Sequence, residues 1–289
     1  MNPRETYPPG VPCWVDTTQP DPDAGRAFYE ALFGWEFVDV TPEGAPGRYL
    51  VARVDGEDVA AISAPPADGP RPQSMWNTYV RVKSADDAAE ATTRAGGKIV
   101  AEPFDIPGAG RMAVLADPEG AVFSVWRANG FEGAQKVNEP RAWVFSDLTA
   151  RNVGAAEAFY FELFGWETAT GVGGFQFWRL RGYGDFLAGD DPELKKRYEA
   201  AGDFADAVAS VQPLSGDGAA HWAVTFGVDD ADDTAARARE LGGKVLTEPF
   251  DMGPVRSTVI EDPQGASFTA SRFYPERLEQ LQQEDGAVA

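Results

Sequence analysis

The period of hydrophobic and polar positions changes repeatedly along this chain, and the order of the changes predicts its elements. Val11–Thr17 has the composition and length of a strand. Over Asp23–Leu32 the apolar Ala27, Phe28, Ala31 and Leu32 recur at helical spacing, and Gly34 stops the helix. Glu36–Val40, Arg48–Val54 and Asp58–Ser63 return to strand patterning, with Asp55-Gly56 as a hairpin-type turn. The series then restarts. Asn77–Lys83 reads as a strand and Ala85–Ala95 as a helix ended by Gly96-Gly97. Ile99–Ala101, Met112–Ala116 and Ala121–Arg127 read as three further strands.

The second half of the chain repeats the first. Phe28-Tyr29-Glu30-Ala31-Leu32-Phe33-Gly34-Trp35 matches Phe159-Tyr160-Phe161-Glu162-Leu163-Phe164-Gly165-Trp166. Gly96-Gly97-Lys98 followed by Glu102-Pro103-Phe104-Asp105 matches Gly242-Gly243-Lys244 followed by Glu248-Pro249-Phe250-Asp251. Asp117-Pro118-Glu119-Gly120-Ala121 matches Asp262-Pro263-Gln264-Gly265-Ala266. Matching order and spacing place two halves at 11–128 and 140–273, joined by the polar segment 129–139. Arg141–Ser146, Ala155–Phe164, Phe175–Arg181, Ala223–Val228, Asp230–Leu241, Thr258–Glu261 and Ser267–Ser271 take the corresponding places. One stretch has no counterpart: Gly189 to Gly218 reads as an insertion, a lid or decorated edge, with a charged surface helix at Pro192–Ala201. The fold class expected is α+β, with four βαβββ units in tandem.

Composition narrows the function classes. With 43% hydrophobic and 12% aromatic residues the chain can build cores. Its formal charge of −21 disfavours nucleic acid and anionic membranes, since 25 basic residues are scattered among 46 acidic ones. No apolar run is long enough to cross a bilayer, and the polar, proline-rich start lacks a signal-peptide pattern, so a cytoplasmic location is the expectation. The single cysteine, Cys13, excludes an internal disulfide and reads as a small buried residue of the first strand. Internal duplication makes a monomer sufficient, with a homodimer as the other option.

The Phe-Tyr-x-x-Leu-Phe-Gly-Trp helix end, the helix closing on Gly-Gly, and the Gly110-Arg111 to Asp117-Pro118-Glu119-Gly120 hairpin together resemble the vicinal-oxygen-chelate superfamily of glyoxalases, bleomycin-resistance proteins and extradiol dioxygenases. Arg256 and Asp262-Pro263 keep the last motif in the second half. The resemblance implies two cupped mixed-sheet half-barrels, each around a pocket. It also implies metal-ligand positions, which fall on Trp14, Ala61, Asn77 and Ser124, and near Trp143, Leu187, Ala223 and Thr269. None is a good ligand for a divalent transition metal. One histidine, His221, is too few for a two-imidazole iron site. The expectation is therefore no metal and no cofactor.

Strand alternation fills the cups instead. The first would present Trp14, Asp16, Asn77, Tyr79, Ser124 and Trp126. The second would present Trp143, Phe145, His221, Thr225, Thr269 and Ser271, with Trp178 beside them. Aromatic walls with a few polar tips suit a planar, partly apolar small molecule. Two readings follow. One is a metal-independent binding protein for an aromatic metabolite. The other is a cofactor-independent lyase, isomerase or hydrolase using Asp16, Tyr79 or His221 as acid or base.

Overall fold

The computed structural model describes residues 6–44, 47–65, 73–171, 174–189 and 191–288. The first five residues of the polar start and Asp190 of the insertion lie outside that set. The first repeat runs β1 (Pro12–Thr18), α1 (Pro22–Phe33), β2 (Glu36–Asp39), β3 (Arg48–Val54) and β4 (Glu57–Ala64). The second runs β5 (Met75–Arg81), α2 (Ala85–Arg94), β6 (Lys98–Ile106), β7 (Gly110–Ala116) and β8 (Val122–Ala128). The third has β9 (Trp143–Ala150), α3 (Val153–Phe164), β10 (Glu167–Thr170) and β11 (Gln176–Arg179). It continues through α4 (Tyr183–Ala188), α5 (Pro192–Ala201) and a 3-10 turn (Gly202–Asp206) to β12 (Ala207–Pro213). The fourth has β13 (His221–Gly227), α6 (Ala231–Glu240), β14 (Lys244–Met252), β15 (Val255–Glu261) and β16 (Ser267–Phe273), and α7 (Pro275–Val288) follows it.

The strands form two mixed sheets of eight, ordered β2-β3-β4-β1-β5-β8-β7-β6 and β10-β11-β12-β9-β13-β16-β15-β14. Neither closes into a barrel. Within each repeat the first and last strands lie parallel and the others antiparallel, as in β1 with β4 and β13 with β16. Among the described residues no helix is long and apolar enough to cross a membrane.

Local chemistry sets the helix ends. Asp21 caps α1, its carboxylate accepting from the Asp23 and Ala24 amides, and Pro22 opens the first turn. Gly34 and Gly165 close α1 and α3 in the left-handed conformation. The paired glycines after α2 and α6 do two jobs. Gly96 and Gly242 turn at positive φ, while a Cβ on Gly97 would sit 2.5 Å from the Ala116 carbonyl and one on Gly243 2.9 Å from that of Glu261.

Two expectations need correction. The strand expected over Ile99–Ala101 runs from Lys98 to Ile106, through Pro103, and β14 likewise runs through Pro249. Both are edge strands, where proline's missing donor costs no ladder bond, and both carry register shifts around the proline. The insertion is also shorter than its sequence suggests. Its last part is β12, a full sheet strand parallel to β9, in the place β4 takes beside β1. The helix Pro192–Ala201 is present as expected.

The chain divides into two compact units, each discontinuous in sequence. Unit 1 comprises Met1–Cys13, Thr78–Gly133 and Ser146–Trp222. Unit 2 comprises Trp14–Asn77, Ala134–Phe145 and Ala223–Ala289. Each has an aromatic core. In unit 2, Tyr29 stacks on Trp35 at 5.4 Å, meets Trp76 edge-on at 5.5 Å and touches Phe268, while Phe33 packs on Phe226. In unit 1, Tyr160 stacks on Trp166 at 5.5 Å, meets Trp222 edge-on at 5.4 Å and touches Phe123.

A polar relay runs through each core. In unit 2 the Trp76 indole donates to the Tyr29 hydroxyl at 3.1 Å, and that hydroxyl donates to Asp262 at 2.9 Å. In unit 1 Trp222 donates to Tyr160 at 2.9 Å and Tyr160 to Asp117 at 3.3 Å. The other carboxylate oxygen of each aspartate holds its own turn. Asp262 accepts from the Gln264 and Ala266 amides, and Asp117 from those of Glu119 and Ala121. Burial raises both tyrosine hydroxyls well above their ordinary range, and the facing aspartate charge raises them further.

Tyr29→Phe and Tyr160→Phe should each cost about 1–3 kcal/mol, because a buried carboxylate loses a donor. Urea midpoints measure this, and a change below about 0.3 kcal/mol in both would contradict the relay. Burial raises the Asp117 carboxyl above its ordinary 3.8. The native state therefore holds that proton more tightly than the unfolded chain. The resulting stability is complete below pH 3.8 and is lost as pH rises through the native value. Asp117→Asn cannot titrate, so the wild-type minus variant stability should fall with rising pH across that window. A difference that rises with pH there refutes the assignment.

Candidate functional site

In unit 2, alternation along β1 sends its side chains to two faces. Thr17 faces the helices, its hydroxyl accepting from Gln19, which also donates to Asp262. Trp14, Asp16 and Thr18 take the opposite face. There they meet Tyr49 of β3, Ala61 and Ser63 of β4, and Asn77 of β5. Asp16 lies opposite Ala61 in the parallel β1–β4 ladder and is 2% exposed.

These side chains form a continuous polar group. The Trp14 indole donates to the Tyr49 hydroxyl at 2.8 Å. That hydroxyl donates to Asp16 Oδ2 at 3.2 Å, and the Asn77 amide donates to Asp16 Oδ1 at 2.9 Å. Thr18 and Ser63 share a hydrogen bond beside them at 3.2 Å. Burial, then the Asp16 charge, raises the Tyr49 hydroxyl well above 10.0, so it is a standing donor at neutral pH. An oriented carboxylate next to a phenol and an indole can accept a ligand hydroxyl or take a proton.

The remaining expected residues fall as follows. In unit 1, Tyr79 lies opposite Ser124 and Arg81 opposite Trp126 in the parallel β5–β8 ladder. All four are buried. Trp126 donates to the Phe131 carbonyl at 2.9 Å, and Arg81 pairs with Glu132 at 3.0 Å. In unit 2, Thr225 and Thr269 are opposite one another on β13 and β16. Ser271 lies further along β16, half-buried, and accepts from the Ser257 hydroxyl at 2.9 Å. Trp143 is buried and donates to the Phe145 carbonyl at 2.9 Å, with the Phe145 side chain half-buried.

Three placements depart from expectation. Trp178 belongs to the helix-side core of unit 1, 5.1 Å from Tyr160 and 5.5 Å from Trp166, because β11 turns its even positions toward α3. His221 opens β13 exposed, its Nδ1 2.9 Å from the Ala219 carbonyl. Leu187 is an exposed residue of α4. The position opposite Asp147, matching Ala61 opposite Asp16, belongs to Ser210.

The sequence reading missed Tyr49, Asp147 and Ser210. Asp147 had a signal, since Asp16 and Asp147 each stand the same distance ahead of their Phe-Tyr pair. Tyr49 had none, as its arrival at Asp16 depends on the β3–β4 pairing. Among the described residues, no three His, Cys, Asp or Glu side chains cluster as a metal site. The face around Asp16 offers one carboxylate with amide, hydroxyl and indole groups, a donor set that does not fit a divalent transition metal. Two surface clefts, of about 250 and 400 Å³, lie elsewhere, one beside Arg141 and Asp230 and one along Ala158 and Phe161.

Asp16→Ala would strand the Tyr49 hydroxyl and Asn77 amide and should cost about 1–3 kcal/mol. His221→Ala should change stability by less than about 0.5 kcal/mol. Thermal melting in parallel checks the order, and a larger loss at His221 would contradict it.

Comparison with known proteins places this geometry in context. Residues 14–125 match the model of the Glyoxalase/Bleomycin resistance protein/Dioxygenase superfamily, and 142–271 that of a Glyoxalase-like domain. A protein named "Putative glyoxylase CFP32" from Mycobacterium tuberculosis (strain CDC 1551 / Oshkosh) is 36% identical, covering 96% of this chain and all of that one. The anthracycline biosynthesis protein DnrV of Streptomyces peucetius is also 36% identical, over 91% of this chain and 93% of its own. Among solved structures, the Mn(II)-bound glyoxalase from Novosphingobium aromaticivorans has a TM-score of 0.58 at 18% identity, over 91% of this chain and 82% of that one. The 2,3-dioxygenase LapB from Pseudomonas sp. KL28 also scores 0.58, at 13% identity, over 93% and 96%.

Proposed function

Because the chain belongs to the glyoxalase/bleomycin resistance protein/dioxygenase superfamily, we propose that it is a member that binds an aromatic, oxygenated small molecule without using a metal. The segments 11–128 and 140–273 are its two modules in this reading. The carrying observation is the Asp16 group. The strand positions at which the family resemblance implies metal ligands hold Trp14, Ala61, Asn77 and Ser124, and beside the first three stands a carboxylate with phenol, amide and indole neighbours. Such a group suits a ring system with hydroxyl donors, held by stacking and by hydrogen bonds to Asp16. The anthracycline biosynthesis relatives support a hydroxylated polycyclic aromatic as the ligand class. A nucleic acid or membrane partner does not fit a formal charge of −21.

A second reading keeps the same residues and adds chemistry. Asp16 hydrogen-bonded to Tyr49 is an acid–base pair, and with such a pair the protein would be a cofactor-independent lyase, isomerase or hydrolase. Tyr79 and His221 have weaker claims, His221 because it stands exposed at the strand start.

Titrating intrinsic tryptophan fluorescence with a hydroxylated anthraquinone tests the proposal. Saturable quenching should survive a chelator and weaken about tenfold in Asp16→Asn, the scale of one hydrogen bond to a charged group. No saturation, or loss of binding on chelation, sinks it. A ligand absorbance spectrum that changes with time, and stops changing in Asp16→Asn, moves the assignment to the second reading.

A further inference from the structure

The outward face of α3 departs from that of α1, its counterpart in the first module. The two helices share a frame, with Phe28-Tyr29 of α1 at the places of Phe159-Tyr160 in α3. On α1 the solvent side carries charge. Asp23 pairs with Arg48 at 2.9 Å, and Arg26 pairs with Glu30 at 2.6 Å beside the exposed Ala27. On α3 the places of Asp23, Ala27 and Glu30 hold Gly154, Ala158 and Phe161, all exposed, Phe161 to 56%. Their spacing of i, i+4 and i+7 puts them on one stripe of the helix. A cleft of about 400 Å³ runs along them and reaches Trp166. Since α1 folds with charge at these places, the shared frame does not demand apolar residues there.

Gly154 points the same way. It lies in the first turn of α3, where glycine weakens a helix relative to alanine. Its backbone is not left-handed, and a Cβ there would meet nothing closer than Asn152 Oδ1 at 3.8 Å. Packing within the chain therefore gives no reason for a glycine, whereas a bare backbone lets an outside side chain approach closely. Charge on this face is also unfinished. Glu157 accepts from Thr168 at 2.7 Å, and Glu167 pairs with Arg181 at 2.7 Å. Glu162 is exposed in the last turn, where the helix dipole disfavours an anion, and has no ion pair among the described residues. At the other end Arg151 precedes the Asn152 cap. Its guanidinium donates to the Gly218 carbonyl at 2.9 Å and has no carboxylate partner among the described residues.

We propose that α3 docks against α3 of a second copy of this chain, antiparallel about a twofold axis near Ala158. Gly154 and Phe161 are about 10 Å apart along the helix, so this axis sets Phe161 of each protomer over Gly154 of its partner. It also brings Glu162 of each protomer to Arg151 of its partner, at the positive end of that helix. Knob and hollow, anion and cation lie on one surface, which is thus complementary to itself. With a formal charge of −21 two copies repel at long range, and the Glu162–Arg151 pairs supply opposite charge where the surfaces meet. The pairing does not depend on the ligand reading at Asp16.

Sedimentation velocity of the full chain, from about 1 to 100 μM, tests the pairing across the range of ordinary reversible association. The wild type should shift from the 31.1 kDa chain toward twice that mass as concentration rises. Phe161→Glu and Gly154→Leu, both at exposed positions, should keep a cooperative melt and raise the dissociation constant about tenfold or more. Arg151→Glu and Glu162→Arg should each weaken association alone. The double variant carrying both reversals, and an equimolar mixture of the two single variants, should dimerise again, because each restores opposite charges across the axis. Ala27→Glu, on α1, should leave association unchanged. A chain monomeric throughout, a dimer indifferent to Phe161→Glu and Gly154→Leu, reversals that have no effect or are not rescued, or equal weakening in Ala27→Glu would each overturn the proposal.

Discussion

The hydrogen bond from a buried tyrosine to a turn aspartate is what the rest of this structure hangs on. Tyr29 and Tyr160 each sit one residue into the Phe-Tyr motif of a helix, and Asp262 and Asp117 each begin an Asp-Pro turn of a different repeat. A buried carboxylate is tolerated only where donors surround it. Asp262 has the Tyr29 hydroxyl, the Gln19 amide and two backbone amides, and Asp117 has its tyrosine and two backbone amides. Each carboxylate closes the turn with one oxygen and fixes the helix against the sheet with the other. Phe28-Tyr29 and Asp262-Pro263, read as separate repeat motifs, are thus the two ends of one contact.

This explains what was legible in the sequence. The repeat and the helix stops could be read because each rests on local chemistry, such as Gly34 at a stop or Gly97 against a carbonyl. Asp16, Trp14 and Asn77 could be assigned to one face because strand alternation is local too. What could not be read needed partners distant in sequence. Tyr49 reaches Asp16 only through the β3–β4 ladder, and β12 hid behind the insertion because Ala207–Pro213 follows helices instead of a two-residue turn. Trp178 was misjudged since a short strand cut by a register shift gives little alternation to count.

The two carboxylates on the faces away from the helices have diverged around a shared frame. Asp16 is enclosed by phenol, amide and indole, whereas Asp147 accepts from a serine hydroxyl. Duplication fixed their backbone positions, and the neighbouring strands supplied different side chains. A single chain therefore holds two inequivalent carboxylate environments, where a symmetric dimer would have two identical ones.

The interleaving of the two units bears on how the chain is made. All of unit 1 lies before residue 223, so its tyrosine, aspartate and tryptophan can emerge from a ribosome with part of the chain still to come. Unit 2 opens at Trp14 and needs Asp262 to satisfy Tyr29. During synthesis its first segment, which carries Tyr29 and the aromatic residues packed around it, precedes Asp262 by more than two hundred residues. The interleaved architecture thus lets unit 1 complete its tyrosine–aspartate contact before unit 2 can complete its own.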